Sequence, residues 1–174
     1  MLKSAWLRCV AQLTAAGFAA AGFAAAACLA SHSLAAPAGP FQSFVGQWTG
    51  DGQVVASNGG RERIRCRANF TPARQGAALN QSIVCASQSY RIDISSYAEA
   101  GDGDSVQGTW SEATRGVSGH LTGHVGAGRF VGTVKGPGFA AGVSWVSNGS
   151  RQVVNIEPSG SDIVDVQIEL DRRG

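Results

Sequence analysis

From about residue 44 onward, apolar and polar side chains alternate with a period of two residues. The clearest stretch is 61–70, where Ile64, Cys66 and Phe70 share one parity and four arginines occupy the other. Glycine-rich segments interrupt the alternation at short intervals, and no long helical repeat is visible after residue 44. A period of two places successive side chains on opposite faces of an extended chain. The sequence therefore predicts many short strands, each with one apolar and one polar face.

Turn signals divide residues 46–170 into nine or ten short strands with tight connections. A meander of that length leaves two unpaired edges, which closure into a barrel removes. We therefore predict an all-β fold, an antiparallel up-and-down β-barrel of about 8–10 strands within residues 44–174. An outer-membrane barrel is the alternative, but its outer face must be apolar. Here the polar face carries Arg63, Asp93 and Asp165, which favours a mature barrel that is not embedded in a membrane.

The N-terminal segment has the composition of a secretory signal. Lys3 and Arg8 lie at its start without an acidic residue, and 9–30 is a run of small and apolar residues broken only by two polar side chains. That order, with small residues at the exit, is typical of a cleaved signal peptide. The small residues favour cleavage before Ala36, with cleavage before Gly39 as the alternative.

Two other interpretations of this segment remain. The apolar run is long enough to span a membrane as a retained anchor, although it is rich in alanine and poor in leucine. Cys28 would be the lipidated residue of a lipoprotein, but the leucine expected three residues before it is missing. We favour a signal peptide over 1–35, a linker over 36–43 and a barrel domain over 44–174 that is periplasmic or secreted.

Charge balance argues against a nucleic-acid partner. Of the 14 basic residues, Lys3 and Arg8 lie in the predicted signal, so the other 12 balance the 12 acidic residues. A neutral, exported chain without aromatic residues between its arginines lacks the features of nucleic-acid binding.

Two of the four cysteines, Cys66 and Cys85, lie outside the predicted signal. Cysteines of an exported protein usually pair, and these two fall on the inward parity of consecutive strands. We predict a disulfide between hairpin neighbours. A metal-binding pair is the alternative, but there is neither Cys-x-x-Cys spacing nor a nearby histidine.

The inward parity of the predicted barrel is dominated by large apolar side chains, which favours a small apolar ligand in the interior. Glu112 shares this parity near the barrel mouth, where burial would raise its pKa; a solvated glutamate is the alternative. Inward glycines such as Gly108 and Gly119 either widen a cavity or let the strands bend. The predicted ligand-binding residues are Trp110, Trp145, Phe130, Leu121 and Glu112.

No nucleophile with a base, carboxylate pair or metal triad is evident in the sequence. His120 and His124 would lie about 13 Å apart along one strand, too far to share a metal ion. We therefore expect a protein that is not an enzyme, with no catalytic residue, cofactor or metal site.

Four arginines, at positions 61, 63, 65 and 67, occupy the outer parity of one strand at intervals of about 6.6 Å. Such a row is repulsive unless acidic side chains or an anionic partner face it, and Asp93 alone is too little. The arginine row is either part of an exposed strand whose charge is balanced by nearby acidic residues or a surface that binds an anionic or protein partner. The second interpretation makes the chain an interaction protein that acts through its outer surface. The predicted surface residues are Arg61, Arg63, Arg65 and Arg67.

The segment Phe44-Val45-Gly46-Gln47-Trp48-Thr49-Gly50 resembles the Gly-x-Trp signature of lipocalins and of the wider calycin group of small-molecule-binding barrels. In that family a late arginine packs over the early tryptophan and closes one end of the barrel through a cation–π contact. The resemblance implies structural roles for Trp48 and Arg172, because Arg172 shares the inward parity of Leu170.

The chain also resembles small periplasmic metalloprotease inhibitors, which are exported barrels with an early Gly-x-Trp and one disulfide between early strands. Gly46, Trp48, Cys66 and Cys85 carry this resemblance. It implies an inhibitory N-terminal tail ending near Gln42.

Overall fold

The computed structural model describes residues 39–174 and contains ten β-strands and one short 3-10 turn at Arg74–Gly76. The predicted signal, 1–35, and the first part of the predicted linker lie outside the described residues. Within residues 39–174 there is no helix long and apolar enough to cross a membrane. The strands are β1 (Gly46–Ala56), β2 (Arg61–Ala73), β3 (Ala78–Ala86), β4 (Arg91–Ala100), β5 (Ser105–Glu112), β6 (Val117–Gly126), β7 (Arg129–Gly136), β8 (Phe139–Ser147), β9 (Arg151–Ser159) and β10 (Ile163–Arg172).

Each strand pairs antiparallel with its neighbour in sequence, and β1 pairs with β10 to close the sheet. The closing register runs from Trp48 opposite Arg172 to Ala56 opposite Ile163. Closure pairs both edges of the meander, as edge protection requires. The predicted antiparallel up-and-down barrel is confirmed.

One irregularity changes which side chains face the interior. A register shift between Val55 and Ala56 inserts an extra residue in β10, so that Ile163 packs against the core. Strict alternation would place Val164 inward with Val166, but Val164 is 44% exposed. A bulge of this kind reverses side-chain orientation beyond it.

We call the two ends of the barrel the closed end and the open end. The closed end is where β1 begins and β10 ends, and residues 39–45 fold as turns across it. Phe41 and Phe44 belong to the buried core there. Burial of Phe41 fixes residues 39–43, the described part of the predicted linker, to the barrel.

Inward glycines let the strands approach each other closely. A Cβ atom at Gly108 would collide with the carbonyl oxygen of Tyr97, and one at Gly119 with that of Lys135. Because neighbouring backbone fills the position of the missing side chain, these glycines serve sharp strand bending and not a wider cavity.

The predicted disulfide is confirmed. Cys66 and Cys85 lie directly opposite each other on β2 and β3, with their Cα atoms 4.1 Å apart. Both side chains point into the barrel and are buried. The bond covalently fixes the register of these two strands.

Candidate functional site

The closed end is filled by tightly bonded side chains. Arg172 lies over Trp48, with its guanidinium carbon 4.3 Å from the ring centroid, and Nη1 donates a hydrogen bond to the Val45 carbonyl oxygen at 2.7 Å. Trp48 Nε1 donates to the Phe44 carbonyl oxygen at 2.9 Å. This is the arrangement implied by the lipocalin resemblance, and it ties the first strand to the last.

Trp145, a predicted ligand-binding residue, belongs to this closed end and is only 7% exposed. Its Nε1 donates to Gln152 Oε1 at 2.9 Å, and Gln152 Nε2 donates to the Phe44 carbonyl oxygen at 3.1 Å. Its ring packs edge-on against Phe44 and Phe70, with centroids 6.2 Å and 5.1 Å away. Leu121 is buried in the same core. Such fully packed side chains hold the barrel together and offer a ligand no surface.

The inward face is different toward the open end. There several apolar side chains that point into the closed barrel are half-buried, whereas Val54, Ile64 and Val166 on β1, β2 and β10 stay buried. Most of the half-buried side chains sit on β3–β5 and on β7–β9. These residues are Ile83, Ile92, Ile94, Trp110, Val134, Phe139, Val143 and Ile156. We call this partly accessible, mainly apolar inward surface of the open half the cup.

Trp110 forms part of the wall of this cup. Its ring meets Phe139 edge-on at 6.0 Å, and its Nε1 donates to the Lys135 carbonyl oxygen at 3.2 Å. Trp110 pairs with Gly119 on β6. Trp145 pairs with a residue of β7 that in turn pairs with Val125 on β6, so Trp145 lies level with Val125. Six residues of strand span about 20 Å, so the two tryptophans do not border one cavity.

Phe130, a further predicted ligand-binding residue, is half-buried and lies level with Trp145, toward the closed end. It pairs with Trp145 across β7 and β8 and with Val125 across β6 and β7. The structure thus separates the predicted set into closed-end residues and open-end residues.

Glu112 is 5% exposed, as the parity predicted, but its carboxylate is fully engaged. Burial acts to raise its pKa, yet hydrogen bonds from the Thr114 hydroxyl and from the amides of Asp93, Thr114 and Arg115 outweigh burial and lower the pKa to about 2. The expectation of a raised pKa is wrong, because the turn after β5 wraps its amides around the carboxylate. Glu112 is therefore ionised at neutral pH and unsuited to general-acid chemistry.

The sequence analysis missed two polar residues in the interior. Gln81 on β3 and Ser96 on β4 face each other, and the Ser96 hydroxyl donates to Gln81 Oε1 at 2.8 Å. The signal was present: both interrupt apolar series on the inward parity of neighbouring strands.

Two broad, open depressions cross neighbouring strands, and both outward and inward positions line them. The larger of the two, about 880 Å³, is bordered by Ser96, Trp110 and Lys135, and the other, about 770 Å³, by His124 and neighbouring residues of β5–β7. His124 Nδ1 lies 3.0 Å from Asp104 Oδ1, and this contact lowers the pKa of Asp104. Among residues 39–174, no three potential metal ligands converge.

The predicted arginine row lies along the outer face of β2. Arg65 Nε is 3.4 Å from Asp51 Oδ1, and Arg61 Nη1 donates to Gln53 Oε1 at 2.9 Å. Arg63 and Arg67 form no ion pair within the described part of the chain. The pairing of Arg65 with an acid is exposed and worth little, so a net positive strip remains.

Comparisons with known proteins give a fold and no family. No family model matches the chain, and no curated protein matches it. Among solved structures, Rv2717c from M. tuberculosis is similar with a TM-score of 0.62 and 12% identity, over 80% of this chain and 99% of that one. The S-type phycobiliprotein lyase CPES from Guillardia theta has a TM-score of 0.59 and 12% identity, over 77% and 90%. The chain thus shares the barrel fold of these two structures, and the comparisons give no support to the metalloprotease-inhibitor resemblance.

Proposed function

We propose that this chain is an exported, non-enzymatic barrel that binds a small apolar ligand in the open half of its interior. The observation that supports this most strongly is the contrast in burial along the inward face. On β3–β5 and β7–β9, apolar side chains that point into a closed sheet remain partly accessible toward the open end, while most of those at the closed end are buried. An apolar cup with few polar groups is the usual form of a small-molecule site.

The ligand site can be tested by filling it. Ile156 faces the cup from β9, so Ile156→Trp should occupy the space and weaken binding of the neutral fluorophore N-phenylnaphthylamine at least tenfold. The matched control is Val131→Trp, because Val131 points outward and is 43% exposed. Wild-type protein that neither binds the fluorophore nor carries a small molecule in native mass spectrometry would refute the proposal.

Export is the second part of the proposal. The composition of residues 1–35 and the buried Cys66–Cys85 disulfide both support it, since disulfides persist in oxidising compartments. Expression of the full chain in a Gram-negative host, followed by fractionation and N-terminal sequencing, should recover mature protein beginning at Ala36. Recovery of uncleaved chain in the cytosol would contradict export.

The arginine row supports a second candidate function, contact with an anionic or protein partner through the outer face of β2. The supporting observation is that Arg63 and Arg67 lack an acidic partner within residues 39–174. Replacing both by glutamine should lower the salt concentration that elutes the protein from a sulfated-polysaccharide resin and abolish any partner pull-down. Replacing Arg129 and Arg173 instead removes the same charge elsewhere. If both double variants change elution and pull-down equally, the arginine row is an ordinary solvent-exposed face with no specific partner.

A further inference from the structure

We propose that Gln81 and Ser96 form a polar base of the open half and select a neutral, mainly apolar ligand that carries one hydrogen-bond acceptor, such as a carbonyl oxygen. This inference rests on the proposed ligand site and adds to it the chemical class of the ligand. It follows from the placement of the pair, from its hydrogen bonding and from the charges around it.

The pair sits where the solid core meets the accessible space. Gln81 lies opposite Phe70, which is fully buried, and Ser96 lies opposite Trp110, which belongs to the wall of the cup. On β3, the inward residue next to Gln81 toward the closed end is Leu79, which is 1% exposed. The inward residue next to Gln81 toward the open end is Ile83, which is half-buried. The two polar side chains therefore occupy the bottom of the cup.

The hydrogen bond between them leaves a donor unused. Because the Ser96 hydroxyl donates to Gln81 Oε1, the Gln81 amide is oriented with Nε2 directed elsewhere. Among residues 39–174, Nε2 has no hydrogen-bond acceptor. Within the same residues, the one fully buried side-chain polar atom without a partner is Ser43 Oγ, so Nε2 itself is not fully buried. Nε2 thus reaches open space. A donor surrounded by apolar walls favours any ligand that brings an acceptor to it.

The charges on the inward face favour a neutral acceptor. The inward positions of the ten strands carry three charged side chains: Glu62 and Glu112 at the open end, and Arg172 at the closed end. Arg172 is already engaged by Trp48 and by the Val45 carbonyl oxygen. A carboxylate ligand would pass two acidic side chains and lose its hydration without meeting a cation, whereas a ketone or ester loses far less.

The test compares octane, 2-octanone and octanoate as competitors of N-phenylnaphthylamine at pH 7. On wild-type protein we expect 2-octanone to bind about fivefold more tightly than octane, and octanoate more weakly than 2-octanone. Gln81→Met keeps the side-chain length and removes the donor, so the preference for 2-octanone over octane should disappear while octane binding stays within about twofold. Gln107→Met, at an exposed outward position of β5, should retain the wild-type preference.

The outcomes separate this inference from the proposed function. Displacement by octane without a preference for 2-octanone on wild-type protein would overturn the inference and leave the ligand site standing, and this comparison needs no variant to fold. A preference that persists in Gln81→Met would also overturn it. No displacement by any of the three compounds, with no binding of the fluorophore, would remove the ligand site and the inference together.

Discussion

At the closed end of the barrel most inward side chains are buried, and the polar groups of Trp145 and Gln152 among them are hydrogen-bonded. At the open end several inward side chains of β3–β5 and β7–β9 keep contact with solvent. Gln152, with no exposed surface, illustrates the first situation, because both ends of its amide are bonded. Gln81 illustrates the second, because only its oxygen is bonded within residues 39–174. The same residue type thus serves stability at one end and, in our proposal, ligand recognition at the other.

The largest expected effect concerns the tryptophans. Trp48→Ala at the closed end should lower the free energy of unfolding by roughly 3–5 kcal/mol, because it removes a buried ring and the support of Arg172. Trp110→Ala at the open end should cost about 2 kcal/mol or less, since Trp110 is half-buried. Urea unfolding followed by circular dichroism measures both. Equal losses would show that the two ends do not differ in packing.

The stability of a Glu112 variant tests whether the turn after β5 is a rigid element of the open end. Its pKa is lowered from 4.5 to about 2 on folding, so the ionised carboxylate contributes roughly 3 kcal/mol of stability at neutral pH. This contribution is complete above about pH 4.5 and is lost as the pH falls toward 2. Glu112→Gln should therefore be less stable than wild type at pH 7, and the difference should shrink at pH 3. A pH-independent difference would contradict the assignment.

The smallest effect concerns the strand closure at the closed end. Arg172→Met removes the guanidinium over Trp48 and should cost about 1 kcal/mol, the usual size of a cation–π contact at a partly exposed site. Arg173→Met, one position along, removes a charge that contacts no ring and should change stability by about 0.5 kcal/mol or less. Unfolding of both variants at low and high salt distinguishes a local contact from a general charge effect.

Local alternation was enough to predict the strands, their faces and the pairing of Cys66 with Cys85, since each depends on neighbours close in sequence. The alternation does not indicate how far along the barrel axis each inward side chain lies. Parity places Trp110 and Trp145 both inward, but the registers of all ten strands decide how far apart they lie. Residues such as Phe41 belong to no periodic stretch, so nothing in the pattern indicated that this aromatic side chain would close the barrel.

The pKa of Glu112 shows a second limit. Two of the three amides that hold its carboxylate come from the turn that follows it, and the third comes from Asp93 on the neighbouring strand. Sequence indicates that the side chain is buried, and burial alone raises a carboxyl pKa. Which donors surround a buried carboxylate depends on the geometry of the turn, and here those donors reverse the direction of the shift.

The pairing of β1 with β10 has a practical consequence for handling the protein. Because β10 finishes at the closed end, Gly174 is attached there, on the side opposite the open end. An affinity tag, a fusion partner or a surface linkage joined to the C-terminus is therefore carried away from the open end. Immobilising the protein through its C-terminus on a sensor chip should leave the open end unobstructed for tests of the proposed ligand site.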